Sequence, residues 1–170
     1  MDKLYSICIT NISLGVYEIL GNSKFIYKIH RIEAENTISL NKDIENKLSD
    51  SNFPKILKDC HEEIQKYFQG ELKEFSILKY LYFEGTPFQI KVWKIMSEIP
   101  YGKTITYGDL AALAGNPKAC RSVGSICNKN PFGLVVPCHR VLAKGSLGGF
   151  RNGITLKKKL LDLEQKHLKI

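Results

Sequence analysis

The sequence predicts an α/β domain, built from a small sheet and a helix, followed by a mainly helical domain that contains a helix-turn-helix. Short β-like runs are confined to the first half of the 170-residue chain, and helices bounded by capping residues, glycine and proline fill the second half. The charge changes with the pattern: residues 1–80 hold 11 Lys and Arg against 12 Asp and Glu, and residues 81–170 hold 14 against 5. We therefore expect an N-terminal domain of residues 1–84 and a C-terminal domain of residues 85–170.

The N-terminal domain opens with three apolar runs of strand character: Leu4–Ile9, Gly15–Leu20 and Lys24–Ile29. Gly21 and Asn22 give a hairpin-type turn signal between the last two runs. Residues 33–52 are polar and show no regular period, which predicts irregular structure.

A helix is expected from about Pro54, with Asn52 as a candidate cap, to Gly70. Its apolar residues recur at helical spacing: Leu57, Cys60, Ile64 and Tyr67 with Phe68. Cys60 lies on this stripe, so we interpret it as an ordinary core residue. The apolar stretch Ile77–Phe83 leads to the domain boundary, and this half contains no recognisable catalytic cluster.

Capping signals predict three helices at the start of the C-terminal domain. Thr86–Gln89 form a capping box with proline at the first helical position. A second helix begins at Thr106 and stops at Gly115, and Asn116-Pro117 are expected to cap a third, which ends at about Asn128. Two short helices joined by a tight turn predict a helix-turn-helix.

The rest of the chain predicts a strand, a loop and a closing helix. Leu134–Val136 is a compact apolar run that reads as a strand, and Pro137–Arg140 follows it. A glycine-rich loop covers Gly145–Gly153, and a helix begins at about Thr155.

Membrane and secreted classes are disfavoured. No apolar run approaches the roughly 20 residues that span a bilayer, and Met1–Leu4 lacks the start of a signal peptide. We expect an intracellular protein, in the cytoplasm or in a eukaryotic nucleus. The five cysteines are odd in number and scattered, which argues against a disulfide framework: Cys8, Cys60, Cys120, Cys127 and Cys138.

The basic second half suggests contact with a polyanion such as nucleic acid, although a solvated basic face would give the same count. The predicted recognition helix, Pro117–Cys127, carries small residues, and Arg121 is the only long side chain near its middle. A major-groove reader needs several long polar side chains. A small-residue face instead suits close approach to a narrow groove or backbone, or tight packing against another helix.

Pro137–Arg140 places a cysteine beside a histidine and an arginine. Positive charge and an available base favour a lowered thiol pKa. Adjacent side chains of an extended segment point to opposite faces, so a bridging water would connect Cys138 to His139. The alternatives are a buried structural cysteine and a zinc site, but Cys120 and Cys127 are seven residues apart on one helix, which is not a usual ligand spacing.

Several motifs stand in order along the second half: Tyr107–Pro117, Arg121, Asn130-Pro131, Pro137–Arg140, Gly148–Phe150 and Leu160-Leu161 with Glu164. Together they resemble the methylated-DNA–protein-cysteine methyltransferase family, also called 6-O-alkylguanine-DNA alkyltransferases. The resemblance covers Thr86 to Glu164, and the N-terminal half matches only loosely, through Tyr67–Gly70. It implies a ribonuclease-H-like N-terminal domain and a winged-helix-like C-terminal domain that binds DNA and accepts the alkyl group.

The resemblance implies single-turnover repair of double-stranded DNA. The protein would flip out 6-O-methylguanine, other 6-O-alkylguanines and, less well, 4-O-methylthymine, and would transfer the alkyl group irreversibly to Cys138. His139 would act as a base through water, Glu164 would orient the histidine, and Tyr107 would donate to the departing guanine oxygen. No cofactor is implied, because the damaged DNA is the alkyl donor, and we expect a monomer.

The resemblance also implies a DNA-binding set and a pocket. The DNA-binding residues would be Tyr107, Gly108, Asn116, Arg121 and Lys144, with Arg121 taking the place of the flipped base. The pocket residues would be Val141, Phe150, Arg151 and Asn130, with Asn130 coupling the recognition helix to the site. The family often has tyrosine at position 150 and a small residue at 151, so this pocket is expected to be more apolar and less open to bulky alkyl groups. Some members hold zinc in the N-terminal half, but the ligand order is missing among Cys8, His30, Cys60 and His61, so no metal is expected.

Three rival functions remain open at this point. They are a non-catalytic module that binds alkylated bases, a helix-turn-helix regulator and a cysteine hydrolase. The presence of Cys138 opposes the first, and the sparse recognition helix opposes the second. No oxyanion hole can be argued from the sequence for the third.

Overall fold

Residues 3–33 and 37–168 are described by the computed structural model, and they divide into two compact units, Met1–Tyr82 and Phe83–Ile170. The first unit combines a small antiparallel sheet with helices, and the second is mostly helical. This confirms the predicted fold class. That residues 1–84 and 85–170 are separate domains stays a prediction. Within the described ranges, no helix is long and apolar enough to cross a membrane.

The sheet of the first unit has three strands in chain order, β1 (Tyr5–Asn11), β2 (Gly15–Gly21) and β3 (Ile26–Ile32), each antiparallel to its neighbour. The turn between β2 and β3 is fixed by Asn22, whose Oδ1 accepts hydrogen bonds of 2.8 Å from the backbone amides of Lys24 and Phe25. The predicted strands and hairpin are therefore confirmed, with bounds shifted by up to three residues.

Two helices pack against this sheet, α1 (Thr37–Ser49) and α2 (Lys55–Gln69). Helix α2 ends where Gly70 adopts a left-handed conformation, with φ at 78°, and Cys60 is fully buried on its apolar face. Both features were predicted. Asn52 is not the cap, because Pro54 occupies that position and no side chain caps the helix.

Helix α1 overturns the prediction of irregular structure for residues 37–49 of the stretch 33–52, and residues 34–36 lie outside the described residues. Its surface is mostly polar, and the Asp43 carboxylate pairs with Lys47 one turn later at 2.6 Å. Only a narrow stripe contacts β1, with Ile44 buried at its centre. Such a stripe is too thin to give a helical period against the surrounding polar residues. After α2, a 3-10 helix at Ser76–Tyr80 closes the unit.

The second unit begins with α3 (Pro87–Ser97), which has the predicted capping box between Thr86 and Gln89. Helices α4 (Tyr107–Leu113) and α5 (Cys120–Asn128) pack on each other as the helix-turn-helix, and α6 (Ile154–Leu168) closes the unit. A two-stranded parallel ladder joins β4 (Ile105–Thr106) to β5 (Val141–Leu142).

Two predictions in this unit are wrong. Helix α5 begins at Cys120 with Ala119 at its cap, because Asn116-Pro117 form a turn closed by a backbone hydrogen bond from Ala119 to Asn116. Leu134–Val136 is a turn and not a strand: Leu134 has a left-handed φ of 71°, and backbone hydrogen bonds run within the segment, from Val136 to Phe132. The apolar residues of this segment are buried in irregular structure. An apolar run alone does not distinguish a buried irregular segment from a buried strand.

Candidate active site

Cys138 lies at the start of a 3-10 helical turn, Cys138–Arg140, that joins the coiled segment to β5. The buried side-chain amide of Asn130 fixes the segment that precedes Cys138. Its Nδ2 donates to the Val136 carbonyl at 2.7 Å, and its Oδ1 accepts from the Phe132 amide at 3.0 Å. Since Asn130 comes two residues after α5, it ties the end of that helix to the segment that carries the cysteine. The predicted extended geometry at Cys138 is wrong, because the helical turn bends the chain at this residue.

The environment of Cys138 differs from the one that the sequence suggested. Burial raises the pKa of its thiol, and hydrogen bonds from the Asn130 side chain and the positive charge of Lys157 act in the opposite direction. Arg140 does not supply the expected positive charge there, because its guanidinium is engaged elsewhere. The expectation of a lowered thiol pKa is therefore wrong for the resting site.

His139 and Glu164 form a fully buried pair next to the cysteine. The His139 Nε2 and a Glu164 carboxylate oxygen are 2.6 Å apart, and neither side chain is exposed. Burial lowers the pKa of His139, so the imidazole is neutral in the resting protein and can accept a proton. The structure thus places two of the four residues predicted to act in catalysis in direct contact, and one of them, His139, directly follows Cys138 in the chain.

Arg140 holds the carboxylate from the other side. Its Nε lies 3.1 Å from each carboxylate oxygen of Glu164, and its Nη2 lies 3.0 Å from one of them. Another guanidinium nitrogen donates to the Ile99 carbonyl, and the guanidinium stacks over the Tyr101 ring at 5.6 Å. Arg140 therefore positions Glu164, a role that the sequence reasoning missed.

The backbone amide of Gly102 completes the shell of the carboxylate, with a hydrogen bond of 2.9 Å to the second oxygen of Glu164. Burial alone would raise the pKa of this carboxyl, but the hydrogen bonds of His139 and Arg140 and the positive charge of Arg140 lower it to about 2. Glu164 is thus an anion at neutral pH, oriented from three directions.

Tyr107 is the first residue of α4 and faces the glycine-rich loop. Its hydroxyl donates to the Gly149 carbonyl at 3.2 Å, and burial raises its pKa to about 12. The phenol therefore keeps its proton at neutral pH and remains a donor. Gly148 fits closely beneath the ring, since an added Cβ would lie 2.9 Å from a Tyr107 ring carbon.

Lys157 is a buried site residue that the sequence reasoning also missed. It lies on α6 in a run of three lysines, whose other members are exposed. Its Nζ donates to the Val141 and Leu147 carbonyls at 2.6 Å each and to the Gly149 carbonyl at 3.1 Å. The helical period could have indicated that Lys157 is buried, because it precedes Glu164 by seven residues and so lies on the same face of α6.

Two of the residues predicted to line the pocket, Val141 and Phe150, lie next to this lysine. Val141 is fully buried, and its carbonyl accepts from Lys157. The Phe150 ring is partly exposed, with its centroid 5.9 Å from the Lys157 ammonium. Arg151 is exposed beside it. Their contact with a substrate stays a prediction.

The residues predicted to contact DNA lie at the surface of the second unit. Asn116, Arg121 and Lys144 are exposed, and Gly108 is partly exposed on α4. Arg121 stands on the first turn of α5, and its guanidinium has no hydrogen-bond or ion-pair partner in the described part of the chain. A long cation on the helix-turn-helix is thus available to a ligand.

The other cysteines are set apart by burial. Cys120 is exposed, whereas Cys8, Cys60 and Cys127 are buried. Burial raises the pKa of Cys127 to about 12, and its thiol packs against the Met96 sulfur at 3.7 Å. Among residues 3–33 and 37–168, no group of three or more His, Cys, Asp and Glu side chains is placed to hold a metal ion.

Comparison with known proteins adds independent evidence. Residues 87–166 match the family described as 6-O-methylguanine DNA methyltransferase, DNA binding domain. A methylated-DNA–protein-cysteine methyltransferase of Methanosarcina barkeri is 37% identical over 158 residues, which cover 92% of this chain and 94% of that protein. A probable methyltransferase of the same name from Acanthamoeba polyphaga mimivirus is 47% identical over 118 residues, 69% of this chain and 78% of that protein.

Solved structures extend the similarity to the fold. The crystal structure of Mycobacterium tuberculosis OGT in complex with DNA superposes with a TM-score of 0.78 at 32% identity, covering 95% of this chain and 93% of that one. The O6-methylguanine-DNA methyltransferase of Pyrococcus kodakaraensis gives a TM-score of 0.64 at 32% identity, covering 95% of this chain and 99% of that one.

Proposed function

Because this chain belongs to the methylated-DNA–protein-cysteine methyltransferase family, we propose that it repairs DNA by moving the alkyl group of a flipped 6-O-alkylguanine irreversibly onto Cys138. It is a methyltransferase that acts in the repair of alkylated DNA, and one acceptor cysteine per chain makes the reaction single-turnover. The observation that carries the proposal is the buried His139–Glu164 pair beside Cys138, with 2.6 Å between imidazole and carboxylate.

The transfer is a displacement at the alkyl carbon. His139, neutral in the resting protein, takes the thiol proton through a water molecule, and the buried Glu164 anion stabilises the imidazolium that results. The Cys138 sulfur then forms a bond to the alkyl carbon as the bond between that carbon and the guanine oxygen breaks. The electron pair of the broken bond stays on guanine, and the sulfur becomes a thioether, which is not regenerated.

Guanine needs a proton donor as it leaves, because its anion is a poor leaving group. Tyr107 suits this role, since its phenol retains its proton and lies at the glycine-rich loop. Main-chain groups of Cys138 and Val141 would read the guanine edge, and Phe150 would contact the alkyl group. Arg151 at the exposed rim would limit bulky alkyl groups.

Access to the damaged base requires its extrusion from the duplex, because the target carbon is enclosed by the stacked bases. Arg121 stands exposed on α5 and is free to fill the vacated position. The basic second half would hold the DNA backbone, with contacts at Gly108, Asn116 and Lys144. The solved Mycobacterium tuberculosis relative is in complex with DNA, which supports the same partner here.

A non-catalytic module that binds alkylated bases is the second candidate, since a helix-turn-helix with one projecting arginine serves it equally well. The buried His139–Glu164 pair, whose histidine directly follows Cys138 in the chain, favours transfer. One mass spectrum separates the two. After incubation with a duplex that contains 6-O-methylguanine, we expect one methyl mass on the peptide that contains Cys138.

The matched variants are Cys138→Ala and Cys120→Ala. The first should abolish transfer and retain DNA binding, and the second, at an exposed thiol of the recognition helix, should leave transfer intact. Label on Cys120 or Cys127, or many turnovers per protein, would refute the proposal. Binding of the damaged duplex without any mass change would leave the non-catalytic module as the function.

A further inference from the structure

Lys157 is a cation enclosed by the protein. The whole residue is 0% exposed, and its Nζ lies within hydrogen-bond distance of three backbone carbonyls, those of Val141, Leu147 and Gly149. An ammonium group has three donor hydrogens and a neutral amine has two. Three carbonyl acceptors around one nitrogen are therefore satisfied only by the charged form.

This buried charge has no carboxylate partner in the part of the chain that the structure describes. A buried cation is costly unless an opposite charge or hydrogen bonds compensate it. Burial lowers the pKa of the Lys157 ammonium, and the three carbonyls and the thiols of Cys138 and Cys127 act in the opposite direction by favouring its charged form. A thiolate at Cys138 would therefore be the missing counter-charge.

The same ammonium fixes the loop that borders the pocket. It joins Val141, three residues after the acceptor, to Leu147 and Gly149 of the glycine-rich loop. The Gly149 carbonyl accepts from both Lys157 and the Tyr107 hydroxyl. The rings of Tyr107 and Phe150 lie over the ammonium, with their centroids at 5.7 and 5.9 Å. One side chain thus joins β5, which follows the acceptor residue, to the glycine-rich loop that also binds the Tyr107 hydroxyl.

We propose that Lys157 is a positioning residue of the acceptor site, which holds the glycine-rich loop beside the pocket and offsets the negative charge of the Cys138 thiolate. The proposal rests on the proposed function for its reaction, and its electrostatic part concerns the thiol alone. The proposal separates the roles of the two cations: Arg140 pairs with the Glu164 carboxylate, and Lys157 offsets the charge of the Cys138 sulfur.

The first test is Lys157→Met, which keeps the length of the side chain and removes its charge and donors. Lys158→Met is the matched control, because Lys158 is the next residue of α6 and is exposed. Transfer from a free alkylated guanine base, which needs no flipping, is followed in single turnover over a range of base concentrations. We expect the limiting rate of Lys157→Met to fall at least about tenfold, the factor expected for lost hydrogen bonds of a charged group, and the control to match wild type.

The second test asks about the sulfur without the substrate. Iodoacetamide alkylation of Cys138 is followed against pH by mass spectrometry of its peptide. The titratable groups that act on this sulfur are Lys157 of α6, Cys127 of α5, Tyr107 of α4 and the adjacent His139. Removal of the cation should move the midpoint of the pH profile upward, by about one unit, and Lys158→Met should not move it.

Lys157→Gln protects the test against misfolding, because the amide keeps two donors for the loop and lacks the charge. It should show the same shift of the alkylation midpoint as Lys157→Met. An unshifted midpoint in the folded variants would overturn the proposal. Unfolding of both variants beside a folded Lys158→Met would overturn it too, since Lys157 would then be a structural residue. A wild-type protein that fails to transfer refutes the proposed function, whereas the alkylation midpoint still reports on Lys157.

Discussion

Removal of the Glu164 carboxylate is expected to destabilise the protein strongly as well as to slow transfer. In the structure this carboxylate accepts from His139, from two nitrogens of Arg140 and from the Gly102 amide, all without exposure to solvent. Glu164→Ala leaves the guanidinium of Arg140 buried without its counter-charge. Breaking a buried pair in this way costs about 3 to 5 kcal/mol. For a chain of this length the melting temperature should fall by about 10 °C.

The assay is thermal unfolding of the full chain, read by circular dichroism, with Asp162→Ala as control. Asp162 lies on the same helix and is exposed, so its removal should change the free energy of unfolding by less than about 0.5 kcal/mol. The double variant Glu164→Ala with Arg140→Met removes both charges and should recover part of the loss. A loss below about 1 kcal/mol in Glu164→Ala would refute the assignment of a buried, anionic Glu164.

The buried His139–Glu164 pair makes the stability of the protein sensitive to acid. Interactions in the folded state lower the pKa of Glu164 to about 2 from its ordinary value of 4.5. A carboxyl with a lowered folded pKa stabilises the protein above its unfolded pKa and loses that stabilisation as the pH falls toward the folded value. The contribution is about 3 kcal/mol, lost between about pH 5 and pH 2. Burial also lowers the pKa of His139 in the folded protein. As the pH falls below 6.5, this histidine is protonated in the unfolded chain before it is protonated in the folded protein, which further lowers the free energy of unfolding.

Three further predictions concern the recognition helix, the loop and the thiols. Arg121→Ala should slow repair of a duplex by at least about tenfold and free-base transfer much less, because only the duplex has an unstacking cost of a few kcal/mol; equal slowing of both would show that Arg121 does not assist extrusion. Gly148→Ala should slow transfer more than Gly145→Ala, because both have left-handed φ but only the first Cβ meets Tyr107, and equal rates of the two variants would contradict this. Iodoacetamide should label the exposed Cys120 of the native protein before any buried thiol, as peptide mass spectrometry would show, and early labelling of a buried thiol would contradict the assignment of burial.

Local signals in the sequence predicted local structure well. The capping box at Thr86 and the left-handed glycine after α2 depend on residues within one turn of each other, so their pattern is visible in the sequence. Helix α1 was missed because its buried stripe is thin and tertiary packing outweighs its polar composition. The apolar run Leu134–Val136 was misread because burial in a coil and burial in a strand favour the same residue types.

The residues of the site could be named from their motif, but their partners could not. Cys138, His139 and Glu164 are carried by a distinctive motif order, and the structure places the last two in contact. Glu164, the partner of Arg140, is 24 residues away in sequence. The residues adjacent to Arg140 do not indicate whether its charge faces the thiol or a carboxylate. Contacts across such separations depend on how helices and turns pack, which a single sequence does not specify.

Helix α6 carries two buried charges of opposite sign, which we propose act at the same site. Lys157 and Glu164 are seven residues apart, close to two helical turns, so both project from the face that also carries Leu160 into the core. One turn of the helix carries Lys157, which would face a negative acceptor, and the other carries Glu164, which would face a positive histidine. In the transfer step that we propose, a proton moves from sulfur toward imidazole, so negative charge would develop on the side of Lys157 and positive charge next to Glu164. A rigid element that carries both charges stabilises that separation without rearrangement, which is the condition for electrostatic catalysis in a buried site.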